Sequence, residues 1–411
     1  MKILLITRYY PPLQGIATER MFSWAKYFRR LGHKTTVLTT EKKKSVSQED
    51  VIEVPYFDPI SFLGGDQIKQ GLSKRNSSMI NFYRTRMNER LPGRTDPWII
   101  PAVRELKNHS GFDLIISSYG PPSAHIVGYF AKKRFGGLWF ADFRDLWVDN
   151  HHYKGVWPFT CLERWCERKV CGRANALLTV SNGLKETLKA KFPEKEVIVI
   201  PNGYDDESYL RVDGGYFNDR KSKFRLVYTG TIYEGKHCLD VLFSALKELS
   251  EGDGFSERFE LLFFGNPSHH LLEKIAEYHL NGVVAYQGLL PSDKVKRVQF
   301  SADAFLQIHF EHNQSDGVLS GKVYEYLFAN KPILGVGISK NCELGKLITR
   351  ANAGLLCQSK EEIKKNLLAL VEGRYIHKSE QGVIEQYSRK RQAEEIIAAA
   401  KEFSQRMMSL S

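Results

Sequence analysis

Short apolar runs recur along the whole chain, each followed by a stretch of helical periodicity, and that alternation is what most narrows the choice of fold. Strands that alternate with helices build parallel sheets covered on both faces. In the first half the spacing predicts strands at 2–7, 35–39, 112–117, 138–141, 176–180 and 197–200. A second series begins near Phe224, with strands at 224–228, 259–264, 283–286, 304–308 and 332–336 and helices at 238–249, 268–280, 292–300 and 321–329. A chain of 411 residues exceeds what one core usually serves. The fold expected is therefore α/β, two Rossmann-like parallel-sheet domains: 1–205, a polar linker over 206–222, and 223–387, with a last helix over 388–405.

The helix after the first strand is well specified, because Met21, Trp24, Ala25, Phe28 and Leu31 share one face and Gly32 supplies a C-terminal cap. Ser181 is placed for an N-cap. Met1 to Ile6 is too short for a signal-peptide core and reads as a strand, and no stretch reaches the roughly 20 apolar residues of a membrane span. Six cysteines without a C-x-x-C pair read as reduced thiols in a cytoplasmic protein. Between Glu41 and Arg104 the pattern weakens. A basic stretch near 69–94 carries Met79, Ile80, Phe82, Tyr83 and Met87, and reads as a surface helix rather than a bilayer segment.

The net charge is +12, and all of the excess lies in the first half: residues 1–205 hold 32 Lys+Arg against 20 Asp+Glu, and the remainder holds 27 of each. Such an excess suits an anionic partner (a membrane face, a phosphorylated lipid or a nucleic acid) or a merely solvated surface.

After the first strand a nicotinamide-binding chain would read G-x-G-x-x-G; here Arg8-Tyr9-Tyr10-Pro11-Pro12-Leu13-Gln14-Gly15 stands instead. A nicotinamide dehydrogenase is not expected on that ground, while Gly15 either lets a ligand approach backbone N–H groups or simply serves the turn. More informative is the stretch from Gly317 to Pro332. Ser320, Gly321 and Lys322 would open a helix whose unpaired N–H groups and dipole attract phosphate, and Lys322 adds a full charge. Glu325, one turn on, can accept hydrogen bonds from a ribose diol. The apolar neighbours Val323, Tyr324, Tyr326, Leu327 and Phe328 bury this helix, which argues against a plain surface ion pair. In the first half Asp142, Arg144 and Asp145 follow a strand and so border the crevice of an open sheet. They suit acceptor orientation, proton removal and a phosphate contact, or an internal salt-bridge network. His125 is either an acceptor contact or a satisfied helix histidine.

Taken together these segments resemble the retaining glycosyltransferases of family 4, which have the GT-B fold: two Rossmann-like domains facing each other across a cleft, with a C-terminal helix crossing back to the first. The likeness runs through Thr7 to Pro12, Leu31 to Val37, Pro121 to His125, Ala141 to Trp147, Val180-Ser181 and Ile200 to Gly203. It continues through Tyr228-Thr229-Gly230-Thr231, Phe264-Gly265, Gln287-Gly288 and Lys322 to Pro332.

The resemblance implies a nucleoside-diphosphate-sugar donor held by the second domain and a glycan or lipid-linked acceptor at the first. It also implies transfer with retention in polysaccharide or lipopolysaccharide assembly, cytoplasmic with peripheral contact at the inner membrane face, and no nucleic-acid partner. On this basis the donor residues expected are Gly15, Thr231, Lys236, Gly265, Gly288, Leu289, Asp316, Ser320, Gly321, Lys322 and Glu325. The acceptor residues expected are His125 and Arg144, and the catalytic ones are Asp142, Arg144, Asp145 and Lys322. No cofactor or metal is expected, since no Asp-x-Asp pair occurs and ammonium groups with a helix terminus can replace a divalent ion. Two departures stand out. Glu325 matches the second Glu of the family's E-x7-E motif, but Gly317 occupies the first position, with Asp316 beside it. Thr231 stands where many relatives carry Arg, so a two-cation clamp would be Lys236 with Lys322. A sugar-nucleotide 2-epimerase of the same fold and an inactive nucleotide-binding scaffold remain as alternatives.

Overall fold

The computed structural model describes residues 1–41, 50–58, 90–150, 155–208, 215–217, 223–235, 237, 239–252, 254–309, 319 and 321–409. Contacts divide the chain into two units, Met1–Pro201 with Arg389–Ser411, and Asn202–Ser388. The basic stretch at 69–89 and much of the 206–222 segment lie outside the described residues, although Tyr216 and Phe217 pack on the core of the second unit.

In the first unit, all-parallel strands take the order β3-β2-β1-β4-β5-β6-β7. They are β1 Lys2–Ile6, β2 Lys34–Thr40, β3 Val51–Val54, β4 Leu114–Ser118, β5 Leu138–Phe143, β6 Ala176–Thr179 and β7 Glu196–Val199. Every residue of β4 and β5 is buried, as expected of strands covered on both faces. The longer helices are α1 Ile16–Arg30, α2 Ser123–Phe135, α3 Phe159–Cys171 and α4 Asn182–Lys191, with a shorter one at Ile99–Glu105. Met21, Trp24, Ala25 and Phe28 are buried on the expected face of α1, but Leu31 caps the helix and is 37% exposed. The chain has already left helical geometry there, and Gly32 beyond it adopts φ +82°. Ser181 caps α4 by accepting from the Leu184 N–H at 3.3 Å.

The second unit repeats the plan in the order β10-β9-β8-β11-β12-β13. Its strands are β8 Phe224–Thr229, β9 Phe259–Phe264, β10 Val284–Gly288, β11 Ala304–Ile308, β12 Ile333–Val336 and β13 Gly354–Cys357. The helices are α5 Asp240–Ser250, α6 His269–Glu277, α7 Ser292–Ser301, α8 Gly321–Ala329, α9 Glu343–Arg350 and α10 Lys360–Val371, with shorter turns between. Two apolar clusters, one on each face of the sheet, form its core.

The last helix, α11 Arg389–Ser409, belongs to the first unit. Ala393, Ile396, Ile397 and Ala400 pack with Trp24, Ala25 and Phe28 of α1 in one buried cluster. Phe403 meets Phe140 edge-on at 5.4 Å. Two strands, β3 and β13, were not among those expected; each is four residues at a sheet edge, too short for a clear periodic signal. Among the described residues no helix is long and apolar enough to cross a membrane.

Candidate functional site

In each sheet the strand order reverses beside the first strand, between β1 and β4 and between β8 and β11. Open α/β sheets bind ligands at such switch points, outside the carboxyl ends of the strands.

In the second unit that position is occupied by the end of β8 and the start of α8. Lys322 is the second residue of α8, and its Nζ lies 3.7 Å from the centroid of the Tyr228 ring on β8. Gly230, just past β8, has φ +152°, a conformation that favours glycine, and a Cβ there would stand 2.9 Å from that ammonium and push the lysine tip aside. Gly265 is more tightly confined, because a Cβ would come within 2.0 Å of the Gly230 carbonyl oxygen, which is backbone. The three carboxyl ends are further tied by Gly230 N–H to Phe264 O at 2.7 Å and Gly265 N–H to Gly288 O at 3.0 Å.

Desolvation pushes the Lys322 ammonium down to about 7, and the attraction of Glu325 offsets only part of that. Glu325 is held in turn by Gln299 of α7, whose Nε2 donates to Glu325 Oε2 at 2.7 Å and to Thr229 Oγ1 at 3.1 Å. The Tyr326 hydroxyl accepts the Thr229 N–H at 2.8 Å, and its ring stacks on Phe305 at 4.1 Å. Thr231 accepts from Asn266 Nδ2 at 2.9 Å, and the Tyr286 hydroxyl donates to Gly265 O at 3.0 Å. Thr231, Gly265, Gly288, Gly321, Lys322 and Glu325 are thus brought to one end of one sheet. Leu289 lies beside Gly288 with its side chain 66% exposed. Lys236, Asp316 and Ser320 lie outside the described residues.

Such an arrangement is chemically lopsided: a cation that prefers to be neutral, a helix terminus, and glycine backbone open to close approach. An anion that brings its own negative charge restores the ammonium. Binding a diphosphate above pH 7 therefore takes up a proton, and affinity falls as pH rises from about 7 toward 10. Titration calorimetry at about pH 8.5 in two buffers of different ionisation enthalpy should give an uptake of about one proton, absent in Lys322→Ala; no uptake by the parent would show that the lysine stays charged without ligand.

In the first unit the expected residues separate. Asp142, next to last in β5, is fully buried, paired with Arg20 of α1 at 2.8 Å, and accepts from Ser118 Oγ at 2.8 Å. Arg20 also donates to Pro201 O at 2.8 Å and lies over the Trp24 ring at 4.1 Å. The expectation that Asp142 acts on an acceptor gives way here, since its carboxylate is committed to an interior ion pair that ties α1 to β5. Arg144 is half-buried: Nε donates to Ser118 Oγ at 3.1 Å, Nη2 to Tyr119 O at 2.5 Å, and the guanidinium lies 5.3 Å from the Tyr9 ring centroid. Asp145 beside it is exposed.

His125 is fully buried among Phe143, Tyr119 and Trp147, with Nδ1 2.8 Å from Ser117 Oγ. Burial pushes it down to about 3, so it is neutral and offers no surface to an acceptor, contrary to the expectation. Gly15, at φ +120°, precedes α1 as its N-cap with no side chain capping the helix. Sequence reasoning missed Arg20 and Gln299, and it named Tyr228 and Tyr326 without the contacts they make. Only burial distinguishes them, and the one usable signal was Arg20, a charge beside the apolar stripe of α1.

Residues 17–208 match the family model described as Glycosyltransferase Family 4. Among curated proteins none matches the chain in sequence. Among solved structures the chain is similar to a sucrose-phosphate synthase from Thermosynechococcus elongatus (13% identity, TM-score 0.60, covering 100% of this chain and 98% of that one). It is also similar to the lipopolysaccharide outer core galactosyltransferase WaaB (15%, 0.60, 98% and 99%). A third is a putative UDP-N-acetylglucosamine 2-epimerase from Listeria monocytogenes (15%, 0.60, 98% and 97%). At these identities the likeness concerns the fold.

Proposed function

We propose, on the premise that this chain is a glycosyltransferase carrying a Family 4 domain over residues 17–208, that it moves a sugar from a nucleoside-diphosphate donor to an acceptor hydroxyl with retention. The observation that carries the donor side is Lys322, an ammonium desolvated over Tyr228 at the first turn of α8, beside glycines where a side chain would be crowded. A departing diphosphate gains negative charge in the transition state, and a cation aimed there before the reaction stabilises that charge without reorganising. Glu325, fixed by Gln299, is the group for the ribose hydroxyls. On the acceptor side Arg144 and exposed Asp145 are the groups for a phosphate and for the attacking hydroxyl. The galactosyltransferase WaaB, named for the lipopolysaccharide outer core, supports an acceptor of the cell-surface glycan class, and the family resemblance adds that this acceptor is carried on a lipid.

The test is a thermal-shift panel of nucleoside diphosphates followed by donor turnover with and without lipid-linked acceptors. Donor consumed only when acceptor is present supports transfer. Epimerised donor without acceptor would move the chain to the 2-epimerase reaction, which the solved structure of similar fold keeps in view. Glu325→Ala is expected to weaken nucleoside diphosphate at least ~10-fold while leaving inorganic pyrophosphate nearly unchanged. Equal losses for both ligands would take the ribose role away from Glu325.

A further inference from the structure

Helix α3 hides its acids and exposes its apolar side chains. Within residues 155–175 the only carboxylates are Glu163 and Glu167, and both are fully buried. Glu163 pairs with Arg90 at 2.8 Å and accepts the Leu91 N–H, also at 2.8 Å; Glu167 pairs with Lys191 at 2.7 Å. What faces outward is Trp157 at 79% exposure, Phe159 at 42%, Leu162 at 54% and Trp165 at 60%. The last three follow the three-residue spacing that lines up on one helix face. Arg164, Arg168 and Lys169 on the helix, and Arg173 just past its end, are exposed around them. Four large apolar side chains collected on one stretch go beyond the scattered exposure of an ordinary surface.

We infer that this face docks on an anionic lipid bilayer. An apolar row with tryptophans, with Arg164, Arg168 and Lys169 exposed on the same helix, matches the boundary between acyl chains and negatively charged headgroups. A second copy of the chain is the poorer occupant, because a two-fold contact sets the same patch against itself and would bring its arginines together. Topology adds a consequence. The α3 crossover leaves the carboxyl edge of β5 and returns to the amino edge of β6, so its first turn, with Trp157 and Phe159, stands toward the edge that carries Arg144. Docking there brings that edge to the membrane surface. The inference deepens the lipid-carrier reading of the acceptor, yet it fails or stands separately, since nucleotide binding belongs to the other unit.

All six tryptophans lie in the first unit, and Trp24, Trp98, Trp139 and Trp147 are fully buried, so changes in quenching report Trp157 and Trp165. The full chain is incubated with phosphatidylcholine vesicles, with or without about 30% phosphatidylglycerol, and followed by sedimentation, emission wavelength and acrylamide quenching. Expected are binding to the anionic vesicles that weakens with salt, a blue shift, and loss of quencher access. Trp157→Ser with Trp165→Ser should cut partitioning at least ~10-fold and abolish the shift, and Arg164→Gln, Arg168→Gln and Lys169→Gln together should remove the preference for anionic vesicles. Both variants should keep the parent's urea midpoint as followed by the four buried tryptophans, which reports an intact first unit. Absence of parent binding, equal partitioning of parent and tryptophan variant, or a dimer that the tryptophan variant dissolves would each overturn the inference.

Discussion

Replacing Lys322 by methionine is expected to lower kcat/KM for sugar transfer by about 100- to 1,000-fold while raising the melting temperature of the unliganded protein by several degrees. The loss follows from removing the cation seated at the Gly230 turn, where a leaving diphosphate would accumulate charge. An oriented donor of that kind contributes roughly 3–4 kcal/mol to the transition state. The gain in stability has the opposite origin. In the folded chain the ammonium is pushed down from the ordinary 10.5 to about 7, so the unfolded chain binds the extra proton more readily through that window. Folding is therefore penalised below pH 7 by the full amount, and the penalty shrinks as pH rises toward 10. The variant's advantage in melting temperature should shrink over the same range. Calorimetry across pH together with steady-state kinetics checks both halves, and a variant that melts like its parent at pH 7 and transfers at the parental rate would remove Lys322 from the mechanism. A site destabilised for its ligand's sake is the usual trade of stability against function.

The second large effect belongs to the interior of the first unit. Arg20→Met should destabilise that unit by about 3–5 kcal/mol, because it leaves the Asp142 carboxylate buried with only Ser118 for company. Arg20→Met combined with Asp142→Leu should recover most of the loss, since removing both charges also removes their desolvation cost. Tryptophan fluorescence during urea unfolding follows this unit alone, all six tryptophans being in it. If the double variant were as unstable as the single one, the pair would be contributing through packing over Trp24 rather than through charge. Asp142 also orients Ser118, which accepts from Arg144, so the single variant should lose acceptor-side activity even below the temperature at which the unit unfolds.

Much of the architecture was legible in the residues because parallel strands buried on both faces leave unbroken apolar runs. Strands β9 and β11 and helix α8 run between the residues expected. Edge strands β3 and β13 escaped notice, each being four residues long with three only partly buried. The burial of Lys322 was also legible, since a lysine opening an apolar helix is costly without a partner and therefore conspicuous. Asp142 and His125 were misjudged for one shared reason: sequence position puts a residue at the end of a strand or the start of a helix, but not on the inside or the outside of the loop there. Asp142 turns inward to Arg20, 122 positions away in the chain, and His125 is enclosed by Phe143 and Trp147.

The sequence by itself determined the alternation of strands and helices, the two series, and the helix terminus that Lys322 occupies, all of which depend on periodicity and on neighbours within a turn or two. Only the tertiary structure decided which charges are paired in the interior and which side chains are left outside. Burial of a polar group is set by partners far along the chain: Arg20 for Asp142, Gln299 for Glu325, Arg90 and Lys191 for the two acids of α3. Helix α3 reads as a mixed, charged segment until those acids are seen turned in, and its cationic, tryptophan-bearing face exists only because they are.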